Sequence, residues 1–139
     1  MTGRVLDVPP ERAFRLVATL REHGRWIPLT RVDAPTGVPR AGDVVVARTA
    51  GVFVDRMQVL TVDPPRTLVL RKLGPVLLGT ATITVTAASG GRSRVSWTYD
   101  ARLRGPLPAA RLLTPALEGM AAFALARMAR WVSRTRPSS

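Results

Sequence analysis

Hydrophobic and polar positions alternate with a period of two through the middle of this chain, and recur at helical spacing towards its two ends. Arg4 to Val8 alternates as a short strand until Pro9-Pro10 stops it. Pro10 and Glu11 suit the first turn of a helix, where a missing N–H costs nothing and an acidic side chain meets the positive end of the dipole. Phe14, Val17 and Leu20 follow at helical spacing, with Leu16 beside them. Gly24 ends this region, and Trp26-Ile27-Pro28-Leu29 leads into a sheet. Residues 34–42 hold prolines and glycines enough to be a loop. Strands are then predicted over 43–49, 52–62, 67–73, 78–88 and 92–103. Between them lie Ala50-Gly51, Asp63-Pro64-Pro65-Arg66, Gly74-Pro75 and Ser89-Gly90-Gly91, each a turn signal. The last element is a helix over 115–134, with Thr114 as N-cap and Pro115 at its first position. Leu113, Leu117, Met120, Ala124, Met128 and Trp131 form its apolar stripe, and Arg127, Arg130 and Arg134 share another face. Antiparallel strands followed by one long helix predict an α+β domain, with a curved sheet of about seven strands wrapped around that helix. Such a pairing leaves a cavity between sheet and helix.

Composition narrows the picture. The 139 residues suit one domain, expected over 1–136 with a frayed tail at 137–139. The absence of cysteine excludes disulfides and thiolate metal sites. Residues 1–15 carry too many charges for a signal h-region, and no apolar stretch is long enough to span a bilayer, so a soluble cytoplasmic protein is expected. The net charge of +12 raises the question of nucleic acid. Lys72 is the only lysine among 21 basic residues, a bias that a GC-rich genome produces without selection for arginine. The arginines are dispersed, and neither a phosphate-binding glycine loop nor aromatics set among basic residues accompany them. No nucleic-acid partner is therefore expected. The basic face of the last helix is read as solvated in preference to membrane-binding.

Certain local patterns carry a resemblance. They are the Pro10-Glu11-Arg12-Ala13-Phe14 helix start, Trp26-Ile27-Pro28, the Asp63-Pro64-Pro65-Arg66 turn before Leu68-Val69-Leu70, and Gly91 to Asp100. With the order of elements, they resemble the START-like or SRPBCC superfamily and its helix-grip fold, over nearly the whole chain. The resemblance implies a cavity for a lipid-, polyketide- or quinone-like molecule. A minority of that superfamily are cyclases or aromatases, so an enzyme of that kind is the alternative. A basic module acting at a membrane or on a partner protein is the third.

No residues assemble into a convincing catalytic group, so no catalytic residue is assigned and no cofactor is expected. His23 is the only histidine, which excludes a multi-histidine metal site, and its place beside Gly24 suggests a surface or capping role. The serines at 89, 93 and 96 lack an elbow motif and a nearby base. The expected cavity wall comprises Phe53, Met57, Val59, Ile83, Val85, Trp97, Tyr99, Leu117, Met120 and Ala124. Tyr99 shares a strand face with Val95 and Trp97 and offers a phenol for packing or for a ligand oxygen. If Val44 and Val46 point inward, alternation brings Arg48 inward too, near Asp55 across the turn at Ala50-Gly51. The opposite register exposes the pair on the outer face. An inward Arg48, with the net charge, favours a hydrophobic ligand bearing an anionic group.

Overall fold

A computed structural model describes residues 2–27, 29–49, 53–75, 77–103 and 110–135. The expected turn at Ala50-Gly51 and the tail at 137–139 lie outside these residues, as do the side chains of Phe53 and Leu113. The elements in order are β1 (Thr2–Leu6), α1 (Pro10–Ala18), a 3-10 helix (Leu20–Arg25), β2 (Thr30–Asp33), β3 (Val44–Thr49), β4 (Phe53–Asp63), β5 (Thr67–Pro75), β6 (Leu77–Ala88), β7 (Arg92–Leu103) and α2 (Ala110–Thr135), with one further short 3-10 turn at Ser89–Gly91. The strands form one seven-stranded sheet in the order β1-β7-β6-β5-β4-β3-β2, antiparallel at every step. Strands β2 to β7 thus meander, and β1 returns to pair with β7.

Alternation decides which side chains face the helices. On β6, Ala81, Ile83 and Val85 are buried, and on β7 Ser93, Val95 and Trp97 are. On β5 the inward row is Leu68, Leu70 and Lys72. Two register shifts interrupt the β4–β5 ladder, between Arg56 and Met57 and between Val59 and Thr61. The second leaves Leu60 without a partner in register, and Leu60 is exposed. Bulges of this kind bend a strand and increase its twist, which helps the sheet to curl.

Helix α1 opens at Pro10 as expected, buries Ala13, Phe14, Val17 and Ala18, and packs against β6 and β7. Helix α2 packs against β1 and β7. It begins at Ala110 and not at the expected Thr114–Pro115 cap. Arg111, Leu112 and Leu113 are good helix formers, and Pro115, at the sixth position, costs one hydrogen bond and strains the preceding turn, about 3 kcal/mol, which the rest of the helix outweighs. The buried stripe of α2 is Leu117, Ala121, Ala124, Leu125, Met128 and Val132. It is rotated from the expected one, so Met120 and Trp131 flank the core half-buried. Burying these faces together supplies most of the stabilisation, at about 25 cal/mol per Å² of apolar area.

The 3-10 helix is held between these layers. Trp26 at its exit meets Trp131 of α2 edge to face, with ring centroids 5.8 Å apart. Gly24 packs against β2 so closely that an added Cβ would lie 2.6 Å from the Thr30 carbonyl oxygen. That atom is backbone and cannot step aside. Gly24→Ala is therefore expected to destabilise the protein by about 1–3 kcal/mol, read as a lower thermal midpoint, with Gly3→Ala, where the nearest atom is an ordinary 3.4 Å away, as the mild control.

Candidate functional site

The meander brings the inner faces of six strands, the 3-10 helix and α2 around one cavity of about 280 Å³. Leu20, His23 and Ile27 enter from the 3-10 helix and the turn after it. Thr30 and Val32 come from β2, and Val45, Ala47 and Thr49 from β3. Asp55 and Met57 on β4, Leu70 and Lys72 on β5, Ala81 on β6, and Trp97 and Tyr99 on β7 complete the sheet wall. Leu117 and Met120 of α2 close the cavity from above.

Of the residues expected from sequence, the fold places Asp55, Met57, Trp97, Tyr99, Leu117 and Met120 on this wall. Val59, Ile83, Val85 and Ala124 are not on it; they are buried in the solid part of the core. Arg48 requires a correction. On β3 it is Val45 that is fully buried, whereas Val44 is 47% exposed, so the row pointing inward is Val45, Ala47 and Thr49. Arg48 lies on the outer face, paired in register with Val54, while Asp55 pairs with Ala47 on the inner side. The two therefore point to opposite faces of the sheet.

The partner of Asp55 is Lys72, whose Nζ donates a hydrogen bond to Asp55 Oδ2. The Lys72 side chain is 4% exposed and that of Asp55 14%, so the pair is held out of bulk water. Lys72 Nζ also lies 3.7 Å from Met57 Sδ and 5.8 Å from the centre of the Tyr99 ring. Asp55 Oδ1 is buried and has no hydrogen-bond partner among the described residues. Trp97 Nε1 is likewise a buried donor without an acceptor among the described residues. The Trp97 ring stacks on Tyr99 at 5.9 Å and meets His23 at 5.5 Å. Burial first, and then the charge of Asp55, raise the Tyr99 phenol above its ordinary range, so it stays protonated.

His23 is also displaced from its expected role. It is buried, at 6% exposure, with its Nε2 2.8 Å from the Val17 carbonyl oxygen. A carbonyl only accepts, so Nε2 carries the proton and Nδ1 the lone pair of a neutral ring. Burial lowers its pKa below 6.5, against the opposing hydrogen bond to Val17.

Lys72, His23, Thr30 and Thr49 are polar wall residues that sequence reasoning missed. The signal for Lys72 was present: Leu68, Leu70 and Lys72 share one strand face, and the residue is the only lysine in the chain. No comparable local signal marks His23, because its burial depends on Trp97, far along the chain. On the outside, Arg25, Arg127, Arg130 and Arg134 line a cleft with Trp26 and Trp131. Among the described residues no group of three or more His, Asp or Glu side chains is placed to hold a metal ion, and no helix is long and apolar enough to cross a membrane.

Comparison with known proteins agrees with this architecture. The family described as polyketide cyclase / dehydrase and lipid transport matches residues 2–132. No curated protein matches the chain. Among solved structures, the XoxI protein of Bacillus cereus is similar over 99% of this chain and 100% of its own, with 13% identity and a TM-score of 0.76. The di-domain ARO/CYC BexL from the BE-7585A biosynthetic pathway is similar over 97% of this chain and 46% of its own, with 20% identity and a TM-score of 0.73. A START superfamily protein from Mycobacterium smegmatis is similar over 96% of this chain and 93% of its own, with 12% identity and a TM-score of 0.67. At such identities the likeness concerns the fold, a helix-grip arrangement of curled sheet and C-terminal helix.

Two outcomes follow from the polar wall. Removing one member of a buried ion pair strands the other charge, which typically costs about 3–5 kcal/mol, whereas replacing both by apolar groups is often neutral. Denaturant unfolding should therefore show Lys72→Met strongly destabilised and Lys72→Met/Asp55→Leu close to the parent. Equal loss in the single and the double variant would contradict a mutual pairing. For His23 the folded pKa lies below the unfolded one, so the unfolded chain takes up the proton first. Stability should be full above about pH 6.5 and fall as pH drops below it, by up to about 1.4 kcal/mol per pH unit. Thermal midpoints measured from pH 7.5 to 5 should decline less steeply in His23→Gln than in the parent.

Proposed function

The chain belongs to the polyketide cyclase / dehydrase and lipid transport family, and from that premise we propose that it binds an apolar small molecule, lipid-, polyketide- or quinone-like, inside the cavity beneath α2. The observation that carries this reading is the cavity itself. Its wall is mostly aliphatic and aromatic, and among the described residues its charged groups are Lys72 and Asp55, beside Tyr99. Sites for small organic ligands have this character, a largely apolar pocket with few polar groups that fix orientation. Affinity then comes chiefly from burying apolar ligand surface, about 25 cal/mol per Å². A volume of about 280 Å³ suits a single chain or a few fused rings better than a two-chain lipid.

One observation favours a second reading, that of a cyclase-like enzyme. Lys72, Asp55 and Tyr99 converge on one part of the wall. An ammonium and a protonated phenol side by side would stabilise a developing enolate on a ketone-bearing ligand, while a carboxylate takes up a proton. Under this reading Tyr99→Phe would slow ring closure of a β-polyketone without abolishing its binding. A pure binding protein would show no ring closure in either form.

The binding reading is tested by filling the space. Met120 stands over the cavity half-buried. Met120→Trp should weaken uptake of an apolar fluorescent probe by about tenfold or more, while overpacking costs about 1–3 kcal/mol of stability. Fluorescence titration beside a thermal melt separates the two effects. Uptake by the variant equal to that of the parent would rule out this cavity as the binding site.

A further inference from the structure

We infer that the face formed by α1, the 3-10 helix and the C-terminal half of α2 docks an acidic segment of a partner protein in a groove of arginines. No residue lines both this groove and the cavity, so the inference stands apart from the reading of the cavity. Two clefts make up the groove. One, of about 440 Å³, is lined by Arg25, Arg127, Arg130 and Arg134 with the two tryptophans. The other, of about 270 Å³, lies along α1 and the 3-10 helix and adds Arg12 and Arg15. Both are lined by Arg25 and Trp26, so they adjoin. Arginines dispersed along the sequence are thus gathered by the fold from three elements onto one face. Apart from the half-buried Arg12, all of them are exposed.

The charge of the groove is one-sided. Of the nine acidic residues in the chain, Glu22 alone is placed on its lining, and Arg25 engages it at 3.3 Å. Glu11, four residues before Arg15 on α1, is on neither lining. Arg130 stands three residues after Arg127 and four before Arg134, a spacing at which like charges on a helix repel. An anionic partner lying across them relieves that repulsion. A guanidinium takes a carboxylate through two parallel hydrogen bonds, so arginine suits Asp and Glu side chains well.

Shape and surface chemistry then select among polyanions. A concave groove receives a chain, whereas a flat bilayer meets only its rim. Helices that bind bilayers insert an apolar face, and the apolar stripe of α2 is already packed in the core. Phe123, half exposed one turn before Arg127, has the Arg127 guanidinium 5.8 Å from the centre of its ring. Single-stranded nucleic acid stacks its bases on open aromatic faces. Here Trp26 is 4% exposed and meets Trp131 edge to face, so the groove offers no such platform. Carboxylates on an extended polypeptide need neither an apolar face nor a stacking platform, and charge complementarity is enough to hold them.

The test titrates the full chain with three probes: a fluorescent oligoglutamate, an oligothymidylate of equal charge, and vesicles of phosphatidylcholine with phosphatidylglycerol. Oligoglutamate should bind most tightly, and its affinity should fall as salt is raised. Two charge-reversed variants locate the contact. Arg130→Glu/Arg134→Glu should weaken oligoglutamate binding by about tenfold or more. Arg56→Glu/Arg71→Glu makes the same change of net charge on exposed positions of the outer sheet face. At physiological ionic strength, where charges more than about 8 Å apart are largely screened, it should change the affinity by less than about twofold. All four positions are exposed, and thermal melts verify that both variants stay folded. Equal weakening in the two variants would show attraction to net charge alone and overturn the groove. Tighter binding of the oligothymidylate or of the vesicles would overturn the acidic polypeptide as its partner. Absence of oligoglutamate binding even at low salt would overturn the inference, and none of these outcomes bears on uptake by the cavity.

Discussion

A straight helix cannot follow a curved sheet along its whole length, and the architecture of this protein rests on that mismatch. Helix α2 packs on β1 and β7 through small or slender residues, and Ala121, Ala124 and Leu125 are buried there almost completely. Towards its N-terminal end, Leu117 and Met120 face the cavity instead. The bulges in the β4–β5 ladder support the curl that opens the gap. The 3-10 helix then keeps it from collapsing, since Trp26 is braced against Trp131 and Gly24 against β2.

Within that space, electrostatics is set by a single pair. Burying Lys72 and Asp55 together removes both from water, and their attraction offsets little more than the desolvation. The pair is thus a weak source of stability, and it stands where a ligand would meet it. It also imposes its character on its surroundings. Tyr99 is kept protonated by burial and by the neighbouring carboxylate, and Met57 places a soft thioether against the ammonium. The result is a mostly apolar chamber that is electrically balanced and carries specific donors and acceptors. The overall charge of +12 lies on the rest of the molecule and says little about this interior.

Similar folds at 12%, 13% and 20% identity show that a pattern of residue types, and not particular residues, suffices for this architecture. Period-two alternation, prolines and glycines at the turns, and a long helix at the end are all that the fold requires. The site is less tolerant, because it depends on which residue occupies each inward position. Val59, Ile83, Val85 and Ala124 are inward and apolar as the pattern implies, yet they belong to the packed region and contribute nothing to the cavity wall.

By itself the sequence determined the kinds and order of the elements, the antiparallel meander and the inward faces of β6 and β7, because these follow from local periodicity and turn chemistry. It also held the clue to Lys72, in step with Leu68 and Leu70 on one strand face. Other features were decided only in three dimensions. Alternation defines two faces of β3 but not which is inner, and the choice of Val45, Ala47 and Thr49 over Val44, Val46 and Arg48 came from pairing register with β2 and β4. Helix α2 could start before Pro115 because the packing of a 26-residue helix outweighs the lost hydrogen bond and local strain of one interior proline, about 3 kcal/mol. His23 reads as a surface residue beside a glycine until the 3-10 helix turns it onto Trp97, a neighbour on β7 that no local pattern relates to it. Periodicity is a property of a few neighbouring residues, whereas a cavity is a property of elements that meet from distant parts of the chain.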